Sequence, residues 1–182
     1  MDPVKIVGAD GNRRKNDFYP TPKECVVAIE KFLCPEYLER GMTIWEPACG
    51  QGHIVNVLRE RGHKVIGSDI QTGTDFITTF PPRDVDFIIT NPPFSLAEKF
   101  IRHTNEMKIP TAFLLKSQYW HSAKRLTLYT EAPPDFVLPL TWRPDFTGQG
   151  NSLMDMIWCV WLHKGNRNRS IYFPLKKPDK ED

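Results

Sequence analysis

Short apolar runs alternate along the chain with segments whose apolar residues lie three or four positions apart. The runs lie at 42–45, 64–68, 87–89 and 111–115. The segments between them have the spacing of an amphipathic helix that buries one face. Strands that alternate with helices in this way predict an α/β fold with a mostly parallel sheet.

The first helix has clear start and stop signals. Thr21 and Glu24 have the spacing of a capping box, and Pro22 stands at the first helical position. The helix is therefore predicted to start near Pro22. It should end by Cys34, because Pro35 cannot continue it.

Two further helices are predicted from the same apolar spacing. One runs from about His53 to Glu60, and the other follows Phe94 and runs to about Met107, with Ser95 as its N-cap. Each lies between two predicted strands. Each can therefore cross over between parallel neighbours, and such crossovers are right-handed.

The last apolar runs predict a different strand arrangement. Residues 136–138 and the nearly continuous run 154–162 are expected to form an antiparallel pair that closes the sheet. Asp155 is the one charge in the second run and is expected to be paired or peripheral rather than catalytic. The expected fold is a single Rossmann-like α/β domain with about seven strands, helices on both faces and an antiparallel C-terminal strand pair.

Length and composition fit one compact domain. The chain has 182 residues, of which 40% are hydrophobic, and this is enough for one well-buried core. We assign 1–16 to a flexible arm, 17–165 to the domain and 166–182 to a basic C-terminal extension, with no separate target recognition domain. Basic residues in the two terminal segments are interpreted as solvated, with nucleic-acid contact as the alternative.

Charge and cysteine usage narrow the class of protein further. A formal net charge of +2 does not by itself indicate a nucleic-acid-binding protein. The cysteines include no C-x-x-C pair and the histidines have no matching ligand spacing, so no metal site is predicted. Neither a membrane span nor a signal peptide is recognisable, and a cytoplasmic protein is expected.

A glycine turn at 46–52 separates the first predicted strand from the second helix. In a βαβ unit, glycines at this position let a ligand approach the backbone, and an acid that ends the second strand can bind ribose hydroxyls. Gly50 and Gly52 are the glycines, and Asp69 is the acid. An ordinary strand-to-helix turn is the alternative interpretation.

The residues around this turn argue against cofactors that carry phosphate. Val55 stands where a dinucleotide fingerprint needs its third glycine, and the chain has no P-loop motif. Glu46 would repel a phosphate, whereas it can receive an amino group directly or through water. The implied ligand has ribose and ammonium but no phosphate. S-adenosylmethionine fits this description, whereas NAD and ATP do not.

Asp75 and Phe76 follow in the loop beyond Asp69. The carboxylate could bind the exocyclic amino group of an adenine while the ring covers the face of the base. Equally, Asp75 could cap a short helix.

The tetrapeptide at 91–94 ends the third predicted strand. Pro92 and Pro93 lack ladder donors, so the strand stops there and a stiff turn presents the amide of Asn91 beside the ring of Phe94. Oxygen acceptors next to a flat apolar ring suit a planar group that carries an amino substituent. The alternative is a rigid turn in which Asn91 acts as a cap.

The order of these segments resembles that of S-adenosylmethionine-dependent amino-methyltransferases, most closely the small phage-type DNA N6-adenine methyltransferases. Segment 17–22, turn 46–52, Asp69, the pair 75–76 and the N-P-P-F tetrapeptide carry the resemblance. It implies a class I methyltransferase domain. The implied catalytic residues are Asn91, Pro92, Pro93 and Phe94. The implied cofactor contacts are Tyr19, Thr21, Pro22, Glu46, Ala48, Cys49, Gly50, Gly52, Asp69, Ile70, Asp75 and Phe76.

The resemblance also implies a reaction and a partner. A DNA adenine would be flipped onto Phe94, with its N6 donating to the Asn91 amide oxygen and the Pro92 carbonyl. RNA guanine and protein glutamine methyltransferases share the tetrapeptide, so RNA, a protein or a non-catalytic binding role are the alternatives. Target recognition would come from loops, from an accessory protein or from a homodimer.

Target contacts are expected in the connections at 117–134 and 143–150, which lie on the strand-end side of the sheet. The candidate substrate contacts are Tyr119, Trp120, Lys124, Arg125, Arg143 and Phe146. For Tyr119 and Trp120, core packing beneath a helix around 123–128 is the alternative.

Overall fold

The computed structural model describes residues 20–150, 154–163 and 169–179. The predicted N-terminal arm and Tyr19 lie outside the described residues. Within the described part of the chain, no helix has the length and hydropathy needed to cross a membrane.

The described residues form four helices and seven strands, and all of them except the last strand follow the order that the apolar pattern predicts. The helices are α1 (Lys23–Leu33), α2 (His53–Glu60), α3 (Ala97–Met107) and α4 (Leu126–Glu131). The strands are β1 (Thr43–Glu46), β2 (Lys64–Gly67), β3 (Phe87–Thr90), β4 (Thr111–Lys116), β5 (Phe136–Pro139), β6 (Met156–Trp161) and β7 (Ile171–Tyr172). Short 3₁₀ turns lie at Ile70–Thr72, Ser117–Trp120 and Ala123–Arg125.

The strands form one sheet in the order β2-β1-β3-β4-β6-β5-β7. β1 pairs in parallel with β2 and with β3, and β3 pairs in parallel with β4. β6 runs antiparallel to both β4 and β5. The mostly parallel sheet and its antiparallel C-terminal pair are therefore confirmed.

The alternation of side chains along each strand creates a core on both faces of the sheet. Phe87 and Ile89 belong to the core beneath α1 and α2, whereas Ile88 belongs to the core beneath α3 and α4. Side chains of successive strand residues point to opposite faces, which explains this division. Central strands such as β3 are buried on both faces, and for this reason they appear in the sequence as continuous apolar runs.

Two predicted helix caps are wrong. The N-cap of α1 is Pro22, and no side chain caps the helix, because the Thr21 hydroxyl accepts a hydrogen bond from Asn91 Nδ2 at 3.2 Å instead. The N-cap of α3 is Leu96 rather than Ser95. A turn in which the Leu96 N–H donates to the Pro93 carbonyl moves the start of the helix by one residue.

The sheet continues past the boundary that we placed at residue 165. β7 pairs in parallel with β5, and the side chain of Leu175 is only 5% exposed. The C-terminal segment 169–179 is thus packed onto the domain. Its apolar run at 171–175 is short, contains Pro174 and is flanked by basic residues, so the sequence pattern alone suggested a tail.

The indole of Trp158 joins the centre of the sheet to α1. Its Nε1 donates to the Cys25 carbonyl at 3.1 Å, and the side chain is fully buried. Trp158→Phe should lower the free energy of unfolding by about 1–3 kcal/mol, because it removes this bond and leaves a buried carbonyl without it. Denaturant unfolding measures the change.

Trp142→Phe is the matched control for that measurement. Trp142 is partly buried, and its Nε1 has no acceptor among the described residues. We expect Trp142→Phe to cost clearly less than Trp158→Phe. An equal or larger cost for Trp142→Phe would contradict the role given to the Trp158 bond.

Candidate active site

A cleft lies where the carboxyl ends of β1, β2 and β3 meet. β2 and β3 flank β1 on opposite sides, so the order of strands reverses between β1 and β3, and open α/β sheets bind ligands at such a point. The cleft has a volume of about 790 Å³, its open mouth included. Ten of the predicted site residues line it, namely Thr21, Glu46, Ala48, Cys49, Asp69, Ile70, Asp75, Phe76, Asn91 and Pro93.

Apart from Tyr19, which lies outside the described residues, the remaining predicted residues of the cofactor and catalytic sets adjoin the cleft in sequence without lining it. These are Pro22, Gly50, Gly52, Pro92 and Phe94. Each is adjacent to, or within two residues of, a residue that does line the cleft.

Asp69 is fixed by backbone donors at the end of β2. Its Oδ2 accepts from the Gly50 N–H and its Oδ1 from the Gln71 N–H, both at 2.8 Å. The side chain is 8% exposed. A carboxylate held by two N–H groups has a fixed orientation, and each oxygen retains a further lone pair for a ligand hydroxyl.

The glycines of the turn at 46–52 are required by the backbone. Gly50 has a φ of +48° and Gly52, the N-cap of α2, a φ of +82°. Both values lie in the left-handed region, which glycine adopts without strain. This turn places the Gly50 N–H on Asp69 and starts α2 at the floor of the cleft.

Glu46 is almost completely buried at the end of β1. It is 2% exposed, and its Oε2 accepts from the Val55 N–H in the first turn of α2 at 3.1 Å. Burial raises the pKa of Glu46 well above its ordinary value; the Val55 bond opposes that rise, and the charge of Asp69 adds to it.

The pKa of the Cys49 thiol is raised as well. Burial is the main cause, followed by the negative charges of Glu46 and Asp69. The two carboxylates lie close enough to act on this thiol, and their charges disfavour any further anion in the cleft.

One end of the cleft combines an apolar surface with an acid. Ile70 is 65% exposed although it is apolar, whereas Phe76 is 3% exposed and packs between Trp45 and Phe100. Asp75 lines the cleft, and its Oδ1 also accepts from the Ile77 N–H at 3.0 Å. No helix directly follows Asp75, so its carboxylate caps a turn rather than the short helix that we considered, and the same carboxylate borders the cleft.

The amide of Asn91 is oriented by a residue that is distant in sequence. Asn91 Nδ2 donates to Thr21 Oγ1, which precedes α1. Because of this bond, the amide nitrogen of Asn91 points toward the segment before α1 and the amide oxygen points away from that segment. Pro92 is buried, and the Pro93 carbonyl accepts from the Leu96 N–H at 2.8 Å. These contacts hold the turn that follows Asn91.

Phe94 lies beside a lysine that our reading of the sequence missed. The Nζ of Lys116 lies 4.3 Å from the centre of the Phe94 ring, within the range of a cation–π interaction. Lys116 ends β4, next to β3 in the sheet. A single charged residue at the carboxyl end of an otherwise apolar strand was the signal that could have identified it.

The aromatic pair proposed for target contact packs inside the protein. Tyr119 is 7% exposed, and Trp120 stacks on Tyr129 with ring centres 4.0 Å apart. Arg125 donates to the Tyr119 carbonyl at 3.0 Å, and its guanidinium lies 3.9 Å from the centre of the Tyr119 ring. Tyr119 is thus packed in the core, as the alternative expected, whereas Trp120 is partly buried against it, and Arg125 contacts the same cluster.

The other three candidates for target contact have different surroundings in the structure. Arg143 Nε pairs with Asp155 Oδ1 at 2.7 Å on the surface, as we expected for Asp155. Phe146 is 4% exposed and belongs to the core, so it cannot present its ring to a target without a rearrangement. Lys124 is exposed.

Several residues that line the cleft were not selected from the sequence. They are Pro20, Pro47, His53, Ile54, Gln71, Thr74, Leu96 and Phe100. Most of them are apolar or neutral and stand next to a selected residue, and their chemistry alone gives no signal.

Comparisons with known proteins identify the fold. Neither the protein-family models nor the curated proteins include a match to this chain. Solved structures do match. A methyltransferase subunit of a type I restriction-modification system from Streptococcus thermophilus has a TM-score of 0.63 and 14% identity, over 88% of this chain and 48% of that chain.

Two further solved structures have a similar fold. A putative class I S-adenosylmethionine-dependent methyltransferase from Listeria monocytogenes has a TM-score of 0.61 and 11% identity, over 93% of this chain and 69% of that chain. A putative RNA methyltransferase from Pyrococcus horikoshii has a TM-score of 0.55 and 16% identity, over 80% and 85%.

The chain spans about half the length of the Streptococcus thermophilus subunit that it matches. Sequence identities of this size establish a shared fold. The protein therefore has the Rossmann-like fold that these methyltransferases share.

Proposed function

We propose that the protein transfers a methyl group from S-adenosylmethionine to the exocyclic N6 nitrogen of adenine in DNA. The charge of the cleft carries the proposal. Glu46, Asp69 and Asp75 line it, and none of the described residues that line it is Lys or Arg. Such a lining attracts an ammonium and a sulfonium and repels a phosphate.

The cofactor residues fit the chemical groups of S-adenosylmethionine. Asp69 offers fixed acceptors to ribose hydroxyls, and the exposed Ile70 offers an apolar surface to the adenine ring. Asp75 borders the same end of the cleft and can accept from an exocyclic amino group. Glu46 supplies negative charge for the ammonium group.

When it is bound, S-adenosylmethionine supplies a methyl group on a positively charged sulfur. The amine nitrogen of the target would bond to that methyl group, and the sulfur would leave in S-adenosylhomocysteine. Asn91 orients that nitrogen, since the side-chain carbonyl oxygen of Asn91 and the backbone carbonyl of Pro92 accept the two N–H groups of the target amine. The acceptors also stabilise the positive charge that develops on the nitrogen. The methylated nitrogen then loses a proton to water, and no basic side chain is required.

Phe94 and Lys116 favour a nucleic acid as the target. The Phe94 ring can stack on a flipped base. Lys116 places a positive charge beside that ring, although it is not among the residues that line the acidic cleft. A cation at this position suits the phosphate backbone that would accompany the base.

RNA is the second candidate target. One structure with a similar fold is named a restriction-modification methyltransferase subunit, and another a putative RNA methyltransferase. Both names support methyl transfer and differ in the target. The remaining alternatives are a protein glutamine and a binding module without transfer. Neither gives a role to the positive charge of Lys116 beside Phe94. An accessory protein or a homodimer would supply recognition of a longer site.

Replacing Asn91 tests the catalytic role. Asn91→Ala should lower the rate of methyl transfer by about 100-fold to 1,000-fold, because it removes an acceptor that acts on developing charge. The dissociation constant for S-adenosylmethionine should change by less than about threefold. Single-turnover assays and calorimetry measure the two effects, and Asn105→Ala on α3 is the control. Transfer at the wild-type rate in Asn91→Ala would refute the assignment.

Replacing Asp69 tests the ribose contact. Asp69→Ala should weaken binding of S-adenosylmethionine about 10-fold to 100-fold, since hydrogen bonds to a charged group are lost. Isothermal titration calorimetry gives the dissociation constants. Glu106→Ala, which removes an exposed acid from α3, should leave binding unchanged. Equal affinities of Asp69→Ala and the wild type would exclude this role for Asp69.

The raised pKa of Glu46 predicts how cofactor binding depends on pH. In the empty cleft burial favours the protonated acid, whereas a bound cation favours the carboxylate. Binding of S-adenosylhomocysteine should therefore release a proton, and affinity should rise as the pH rises above the ordinary titration range of a carboxyl group. Calorimetry in buffers with different ionisation enthalpies counts the protons.

Glu46→Gln is the control for the pH dependence. This variant cannot ionise at the position, so its affinity should change less with pH than that of the wild type. Uptake of a proton on binding, or the same pH profile in both proteins, would show that Glu46 does not face the cation.

A further inference from the structure

We propose that Glu30, Cys34 and His63 form a binding site for Zn²⁺ at the ends of α1 and α2 that face away from the cleft. The donor atoms of the three side chains lie within 4.8 Å of one another. Glu30 Oε1 lies 3.1 Å from His63 Nε2 and 3.7 Å from Cys34 Sγ. The sequence predicted no metal site, because the histidine is 33 residues from the glutamate.

The site is separate from the candidate active site. α1 begins at Lys23, next to the cleft, and Glu30 and Cys34 lie at its far end. α2 begins beside Gly52 at the cleft, and His63 follows its far end. At a rise of about 1.5 Å per residue, each helix separates the two sites by roughly 10 Å.

The spacing of the donors fits tetrahedral coordination. Zinc bonds of about 2.0–2.3 Å place neighbouring ligands of a tetrahedron roughly 3.3–3.8 Å apart. The spacings of 3.1 Å and 3.7 Å around Glu30 Oε1 are close to these values. Small adjustments of the three side chains would therefore place their donor atoms at three of the four ligand positions around a tetrahedral Zn²⁺ ion.

The chemistry of the donors selects zinc over hard cations. A thiolate, an imidazole and a carboxylate are the side chains that bind Zn²⁺ in proteins, whereas Mg²⁺ and Ca²⁺ prefer oxygen alone. A thiolate at Cys34 and the carboxylate of Glu30 together balance the charge of the ion. Cys34 is only partly buried, which gives the ion access.

Other contacts orient the donors. Arg61 Nε donates to Glu30 Oε2 at 2.8 Å, which leaves Oε1 turned toward His63 and Cys34. Such a partner of a ligating carboxylate typically fixes its orientation. The Cys34 thiol donates to the Leu38 carbonyl at 3.3 Å. A thiolate loses that bond, so the Leu38 carbonyl or a water can occupy the fourth position.

The competing interpretation is an ion-pair network. Glu30 already pairs with Arg61 and with His63. Such a network needs no thiolate, whereas the proposed zinc site requires one. Cys34 therefore distinguishes the two interpretations.

Protection of Cys34 from alkylation tests the site in the full-length wild-type protein. Cys34 and Cys49 are the two partly buried thiols, and Cys25 and Cys159 are buried. With stoichiometric Zn²⁺, alkylation of Cys34 by iodoacetamide should slow by about tenfold or more, because a metal-bound thiolate is shielded. Cys49, which lies in the cleft, should react at the same rate with and without Zn²⁺ and is the internal control.

Cobalt supplies a spectroscopic test of the same ligands. Co²⁺ titrated into the wild-type protein should give a sulfur-to-cobalt charge-transfer band that saturates at one equivalent, and Cys34→Ser should lose that band. Equal alkylation of Cys34 with and without Zn²⁺, absence of the band, or its persistence in Cys34→Ser would each overturn the proposal. If Cys34→Ser does not fold, the wild-type alkylation rates decide. None of these measurements depends on methyl transfer.

Discussion

Parallel pairing of β1 with β2 and with β3 is the constraint on which the candidate site depends. Glu46 ends β1, Asp69 follows β2 and Asn91 follows β3, so parallel pairing brings all three to one edge of the sheet. An antiparallel neighbour would carry its terminal residue to the opposite edge. The buried apolar runs of these strands are therefore as important to function as the polar residues that follow them.

The cost of placing acids at this edge explains the cofactor that we propose. Glu46 is buried with one backbone donor, and burial raises its pKa. Asp69, close enough to affect Glu46, is held by two N–H groups. Buried carboxylates are stabilised by a cation and destabilised by an anion. The cleft is thus matched to a ligand that carries positive charge, and the same charges disfavour nucleotides with phosphate.

Much of this arrangement could be predicted from the sequence, because strand order, glycine turns and strand-end acids are local signals. Contacts between distant segments could not. The hydrogen bond from Asn91 to Thr21 joins residues 70 positions apart, and the pattern near Thr21 suggested a helix cap instead. Tyr119 was proposed as a target contact because aromatic residues suit both cores and bases, and only its burial distinguishes the two. His63 meets Glu30 because α1 and α2 pack together, which no ligand spacing in the sequence reveals.

The group that receives the methyl is identified most directly by methyl transfer to DNA, RNA and protein in parallel. The protein would be incubated with S-adenosylmethionine labelled in its methyl group and with unmethylated DNA, RNA or a protein extract in parallel. Each product would then be digested and its labelled component identified by mass spectrometry. We expect label in DNA, recovered as N6-methyldeoxyadenosine. Label confined to RNA or protein, or DNA labelled at another base, would contradict the proposed function.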